Sequence, residues 1–270
     1  MTMTTNPAPS QLSAQGAGLA VDIACQTLGL PSVRTNHTPM AEQAVKNRMT
    51  HTGFLAELLS CEVDDRHTRR LSRRIKEAKF PRHKRLTDFD DTAIKDLPAG
   101  TLAALGEPGW IEAGHPLVLL GDSGTGKTHL LIGVGIAAAE HDKRVRYTTT
   151  AALVNELVEA SDHKQLTRTV NRYARIDLLC LDELGYLHLD PKGAELLFQI
   201  ITAREERASI AAASNSPFSE WGRTFTDARL AAAVVDRLTF NATIIDTGSV
   251  SYRLRSRRSP RPTPTKDGRS

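Results

Sequence analysis

The sequence predicts an α/β protein: a parallel five-stranded sheet with flanking helices, preceded by a small all-α N-terminal domain. Three observations predict it. From residue 117 onward, short apolar runs alternate with helical stretches, the pattern of a parallel sheet covered on both faces. Gly121–Thr128 reads GDSGTGKT, with an apolar run before it and a helix-forming run after it. Residues 22–79 contain helix formers and short apolar clusters but no strand pattern.

Taken in order, residues 1–20 are rich in Thr, Ser, Pro, Gln and Ala and are expected to lack fixed structure. Residues 21–80 are expected to form the helical domain. Within it Phe54, Leu55, Leu58 and Leu59 make an apolar helical face,. Arg66, Arg69, Arg70, Arg73 and Arg74 fall at i, i+3, i+4, i+7 and i+8, so the five share one stripe, with Leu71, Ile75 and Ala78 on another. Pro81 ends this segment, and residues 81–252 form the sheet-bearing body. Its strands are expected at 117–120, 144–149, 176–181, 209–213 and 242–246. The run at 209–213 is alanine-rich and weak in strand propensity,. Its helices are expected at 127–140, at 151–160 with Thr150 as cap, at 191–206 behind the Asp190–Pro191 N-cap and first residue, and at 227–238. The tail, 253–270, has no apolar content beyond Leu254 and is expected to be disordered.

The net charge of +4 is unevenly spread. Arg66–Arg85 carries ten Lys/Arg against Glu77 alone, net +9, and Arg253–Ser270 carries seven against Asp267 alone, net +6. Residues 86–252 carry 15 basic and 23 acidic residues, net −8. Two basic segments flanking an acidic body fit either a polyanion partner, most often nucleic acid, or a solvated surface. With 40% hydrophobic and 24% charged residues, the composition is that of a soluble globular protein. The longest apolar runs are far too short to span a membrane. The N-terminus lacks the basic start and apolar core of a secretory signal. Cys25, Cys61 and Cys180 have no metal-ligand spacing and read as reduced thiols of a cytoplasmic protein.

The chemistry concentrates in four places. Gly121, Asp122, Ser123, Gly124, Thr125, Gly126, Lys127 and Thr128 fit G-x-x-x-x-G-K-[ST] at every fixed position,. In such a loop, from Gly121 to His129, glycines let successive N–H groups face a phosphate, and the following helix adds its positive end. Lys127 is placed to neutralise β- and γ-phosphate oxygens and Thr128 to ligate Mg²⁺. The apolar run ending at Leu181 delivers Asp182 and Glu183, 55 residues after Lys127. At the carboxyl end of a parallel strand this pair faces the ligand crevice. Asp182 there would hold Mg²⁺ and Glu183 would polarise an attacking water as general base. Asn215 follows the next strand; it is either a polar turn before Pro217 or an amide at the γ-phosphate or lytic water. Arg237, in Asp-Arg-Leu, is either a surface residue or an arginine that reaches a neighbouring subunit's nucleotide, and spacing leaves both open. Trp110, Phe218 and Trp221 read as packing anchors.

Together the stretches FLAELLSCEV with the arginine run, AKFPRHKRLTDFD, LLGDSGTGKTHL, VRYTTTAALVNEL, LLCLDELGYLHLD, SNSPFSEWG and DRL before SYRLR resemble the IstB-like ATP-binding proteins, transposition helpers encoded beside the transposase in bacterial insertion sequences. The resemblance covers about residues 28–256. It implies an AAA+ P-loop ATPase of the helicase-loader and initiator clade without a clear C-terminal lid, and none is visible after Asp246. It implies ATP and Mg²⁺ as ligands, hydrolysis to ADP and phosphate, and assembly into a homo-oligomeric ring or spiral. It also implies binding of double-stranded DNA, through the basic segments, and engagement of a transposase. By the same resemblance Lys127 and Thr128 are Walker A residues, Asp182 and Glu183 Walker B, Asn215 the polar sensor and Arg237 the trans-acting arginine. Phe89 lies where the clade lines its adenine pocket. Four positions depart from the family: Asp122 stands for a usual Pro, Ala213 for Thr, Glu205 for Tyr and Ala208 for Gly. The readings that compete with a transposition ATPase are a helicase loader acting in replication and a nucleotide-gated DNA scaffold with negligible turnover.

Overall fold

The computed structural model describes residues 14–94 and 97–249. The chain divides into two compact units, Met1–Ser72 and Arg73–Ser270. The boundary falls inside one long helix rather than at Pro81. The basic tail and the SYR segment lie outside the described residues, as does the region where a lid would follow.

The first unit is helical: α1 (Ala14–Leu28), α2 (Pro31–Lys46) and most of α3 (His51–Ala78). Helix α1 begins within the stretch expected to lack structure, so that expectation is corrected from Ala14 onward. Gly29 closes α1 with φ +65°, a conformation open to glycine, and Leu30 N–H returns to Cys25 O at 2.8 Å. A small core joins Cys25, Val33 and Leu58, with Leu30, Met40 and Phe54 packed against it. Of the apolar face expected on α3, Phe54 and Leu58 therefore pack, whereas Leu55 and Leu59 are exposed.

Helix α2 starts on Leu30, which has no side-chain acceptor, followed by Pro31. The acceptor comes instead from α3. Glu62, 3% exposed, accepts from Ser32 N–H at 2.8 Å and Val33 N–H at 3.2 Å. A carboxylate at a helix N-terminus satisfies orphan donors and complements the dipole. Arg66 and Arg69 then neutralise it, at 2.9 and 3.2 Å. Burial alone would raise the Glu62 pKa; the bonds from Arg66, Val33, Ser32 and Arg69 outweigh it and hold the group below its ordinary value.

The second unit carries the sheet. After α3, short 3₁₀ turns at Leu86–Asp88 and Asp91–Ala93 lead to α4 (Thr101–Gly106) and α5 (Gly109–Glu112). There follow β1 (Leu117–Leu120), α6 (Lys127–Glu140), β2 (Val145–Thr149), α7 (Thr150–Asp162), α8 (Leu166–Ala174) and β3 (Leu178–Leu184). The described chain continues with α9 (Pro191–Arg204), β4 (Ser209–Ser214), α10 (Trp221–Phe225), α11 (Ala228–Thr239) and β5 (Thr243–Asp246). The five strands run parallel in the order β2-β3-β4-β1-β5. Helix α8, and the short α4, α5 and α10, were not expected from the sequence. Thr149 caps α7, accepting from Ala152 N–H at 3.2 Å, rather than Thr150, which is drawn into the site. Asp190 caps α9 as expected, accepting from Gly193 N–H.

Alanine-rich β4 lies at the centre, with Ala211, Ala212 and Ala213 fully buried. Packing rather than propensity specifies it. Helix α6 is buried along most of its length, and its two interior glycines are notches. A Cβ on Gly133 would lie 3.0 Å from the Leu86 side chain, and one on Gly135 would lie 2.7 Å from the Phe80 ring. Each glycine costs a helix about 1 kcal/mol, and here it lets residues 80–89 lie directly on α6 beside the phosphate loop. Below the sheet, Arg204 is 1% exposed. It donates to the carbonyls of Tyr173, Ile176, Asp177 and Ser209 at 2.5–3.4 Å. Burial lowers its pKa to about 10, so it stays cationic at neutral pH.

Candidate functional site

The loop after β1 is built by its neighbours as much as by its glycines. Gly121 has φ +137°, and a Cβ there would strike Thr247 Oγ1 and the Gly248 carbonyl. Asp122 N–H donates to Gly248 O at 3.0 Å. The Thr125 and Thr247 hydroxyls meet at 2.5 Å, and Thr247 donates to Leu120 O at 2.9 Å. The loop is thus stapled to the end of β5. Gly126, φ +105°, has no room for a Cβ because the Phe89 ring would sit 2.8 Å from it. Lys127 is 6% exposed, and its ammonium donates to Gly121 O at 2.6 Å and Asp122 O at 2.7 Å.

The carboxylates arrive on β3. Asp182 is 5% exposed. Its Oδ2 accepts from Thr128 Oγ1 at 2.9 Å and from the Tyr147 hydroxyl at 2.7 Å, and its Oδ1 accepts from Glu183 N–H at 2.9 Å. The Thr150 hydroxyl donates to the Asp182 carbonyl at 3.1 Å. Burial, then the adjacent Asp182 carboxylate, pushes the Tyr147 phenol well above its usual range, so it remains a donor. The register of β3 against β4 slips between Leu181 and Leu184. Glu183 sits in that bulge at φ +59°. Non-glycine residues in this region carry backbone strain and gather at functional sites, where bulges re-aim side chains. Here the result is an exposed Glu183 beside a buried Asp182.

Beyond β4, Ser214 Oγ donates to Ser216 O at 2.7 Å and accepts from Ser216 N–H and the Trp221 indole N–H. Trp221 is fully buried, a packing anchor as expected. This tight turn sets Asn215 between two bonded serines. A cavity of about 390 Å³ at the carboxyl edge of the sheet is lined by Ser123, Gly124, Gly126, Lys127, Thr128 and His129, and also by Asp182, Glu183 and Asn215. Three separate sequence stretches therefore converge on one cleft. Arg82, Lys84 and Ile132 also line it, and sequence reasoning missed them. Gly121, Asp122 and Thr125 hold the loop from behind. Asp122 is exposed, and its backbone rather than its carboxylate serves the loop.

The Thr128 hydroxyl and the Asp182 carboxylate, bonded beside the cleft, are hard oxygen donors that fit Mg²⁺ with phosphate and water completing its shell. Tyr147, Thr150 and Thr247 were also missed. Their signal is positional: Thr149 pairs with Asp182 across β2 and β3, and β5 pairs with β1. Phe89 meets Gly126 and stacks edge-on to His129 at 5.4 Å, but it does not line this cleft.

Arg237 lies elsewhere. Its Nε is 3.0 Å from Glu205 Oε2, Nη1 donates to Ala233 O at 3.1 Å, and the guanidinium covers the Phe198 ring at 4.8 Å. The Glu205 contact is an ion pair without good hydrogen-bond alignment. Arg237 lines a cavity of about 190 Å³ with His115, Glu205, Phe240 and Asn241. These residues precede β1, β4 and β5, so the cavity is at the amino edge of the sheet, opposite the phosphate loop. Of the α3 arginines, Arg66 donates to Gly29 O and Glu62, Arg69 to Ser32 and Glu62, and Arg73 lies 3.9 Å from Glu77. Arg70 is exposed, whereas Arg74 is half-buried. Part of the stripe is thus structural, because Glu62 lies just upstream of the basic run.

Comparison with known proteins agrees with this geometry. A relative from Geobacillus stearothermophilus, named as an ATP-binding protein of insertion sequence IS5376, is 35% identical over 87% of this chain and 93% of that one. An insertion-sequence ATP-binding protein named in Sinorhizobium fredii is 36% identical over 85% of this chain and 77% of that one. In fold, AMPPCP-bound DnaA from Aquifex aeolicus superposes with a TM-score of 0.50 at 22% identity, covering 63% of this chain and 51% of that one. The family model described as IstB-like ATP binding protein matches residues 23–260. The chain belongs to the IstB-like family of ATP-binding proteins, built on a parallel five-stranded sheet with flanking helices.

Proposed function

We propose that this protein is an ATPase that assembles on double-stranded DNA as a homo-oligomer and assists a transposase. The observation that carries the hydrolytic reading is the cleft itself. A phosphate loop, a buried carboxylate bonded to Thr128, an exposed carboxylate and an amide from the next strand end all face one space. Thr128 and Asp182 would hold Mg²⁺, which when bound would supply positive charge against the phosphates,. Lys127, gathered against the loop carbonyls, is the cation for the β- and γ-phosphates. Glu183, turned out by its bulge, is the base that orients and deprotonates water. Asn215 is the neutral donor that fixes the γ-phosphate or that water.

Arg237 supports assembly. At the amino edge of the sheet it does not serve its own phosphate loop, and as the trans-acting arginine it would complete a neighbour's site. The insertion-sequence names of the relatives support transposition as the setting. The exposed faces of Arg66, Arg69, Arg70 and Arg73 support contact with phosphates, Arg74 less so.

Phosphate release from the protein with ATP, Mg²⁺ and duplex DNA tests the reading. Glu183→Gln is expected to bind ATP normally and to lower turnover by about a hundredfold or more. Equal, near-zero rates for wild type and variant would leave a nucleotide-gated scaffold instead.

A further inference from the structure

The acidic balance of residues 86–252 conceals a basic face on the sheet-bearing unit. Helix α8 is pinned by its apolar side: Leu166, Val170 and Tyr173 pack into the core, and the Tyr173 hydroxyl donates to Glu156 at 2.6 Å. Helical spacing then turns Arg168, Asn171, Arg172 and Arg175 outward. With Arg144 and Lys164 they line an open groove of about 1110 Å³ that no acidic residue lines.

Two of these five cations are already paired, Arg144 with Asp177 at 3.1 Å and Arg172 with Glu156. Lys164, Arg168 and Arg175 are exposed, and their side chains make no ion pair or hydrogen bond among the described residues. Exposed, unspent cations spread along a nine-residue helix and its leading turn do not enclose a single anion. They match charges repeating along a polyanion. Thr167 and Asn171 add uncharged hydrogen-bonding groups of the kind that contact phosphate without reading sequence. Arg144 precedes β2, and Arg175 precedes β3. The groove therefore lies at the amino edge of the sheet, away from the nucleotide cleft, and both can be occupied at once.

We propose that this groove is a second contact for the phosphate backbone of duplex DNA, carried by the sheet-bearing unit itself. It rests on the DNA reading above. The test is binding of a duplex of arbitrary sequence across a salt series by the full chain and by the Lys164→Gln, Arg168→Gln, Arg175→Gln triple variant. Each lost phosphate contact lowers the slope of log affinity against log salt by about 0.9, so the variant slope is expected to fall by about two to three. A variant that melts like wild type and keeps its affinity and slope overturns the groove. If the triple variant does not fold, the three single variants replace it: a slope fall of about one in each supports the groove, and three unchanged slopes overturn it. Wild-type protein that binds no duplex even at low salt overturns the DNA reading itself, which separates the two failures.

Discussion

Asp182 is buried and held by three donors: Thr128, Tyr147 and the Glu183 N–H all donate to it. Three donors on one carboxylate fix its orientation before any ligand arrives, and outer partners of a metal-holding carboxylate tune its affinity. Tyr147→Phe keeps the ring and removes one donor. The expected outcome is an intact fold and a roughly tenfold higher Mg²⁺ concentration for half-maximal ATP turnover; an unchanged Mg²⁺ dependence would remove Tyr147 from the site. That Lys127, Thr128, Asp182, Glu183 and Asn215 would come to one edge of the sheet was legible because each follows a strand or a glycine loop in sequence. Tyr147, Thr150 and Thr247 were not, because their roles depend on which strands lie side by side. That order, β2-β3-β4-β1-β5, comes from tertiary packing.

Among the elements, α2 begins without a cap of its own, and α3 supplies Glu62. A carboxylate whose pKa is held down on folding contributes stability above its unfolded pKa, near 4.3, and loses it as pH falls through the lower folded value. Acidification from neutral pH to below about 4 is therefore expected to lower the protection of the Ser32 and Val33 amides, measured as exchange relative to the intrinsic rate at each pH. Glu62→Ala is expected to cost about 0.5–2 kcal/mol, the worth of an N-cap, and to speed that exchange already at neutral pH. Exchange in the variant that matches wild type would show that the cap is immaterial. Thirty residues separate Ser32 from Glu62, so this device could not be read from local pattern, and the arginine stripe was counted without its carboxylate. Helix α8 escaped for a different reason. LTRTVNRYA has few apolar residues and several β-branched or polar ones, and its helicity comes from the stripe it packs rather than from propensity. By contrast β1, α6, β3 and α9 carry continuous apolar runs, a glycine loop or an Asp-Pro cap, and they lie within a few residues of where the sequence places them.

Across the whole sheet-bearing unit, the parallel strands separate two kinds of chemistry. The carboxyl edge holds Lys127, Asp182, Glu183 and Asn215; the amino edge holds Arg237, paired with Glu205 over Phe198. If both belong to one reaction, they meet only between copies in a head-to-tail contact, which joins unlike faces. Lys127→Ala and Arg237→Ala would then each be inactive alone, for opposite reasons. Mixed in equal amounts, they would regain roughly one quarter of wild-type turnover, because a random seam joins an intact loop to an intact arginine one time in four. A mixture as silent as its components would place Arg237 outside the reaction. Under that reading the ion pair at Glu205 has a social meaning: a solitary copy would own every part of the machine and run none of it, and turnover would become a tally of neighbours.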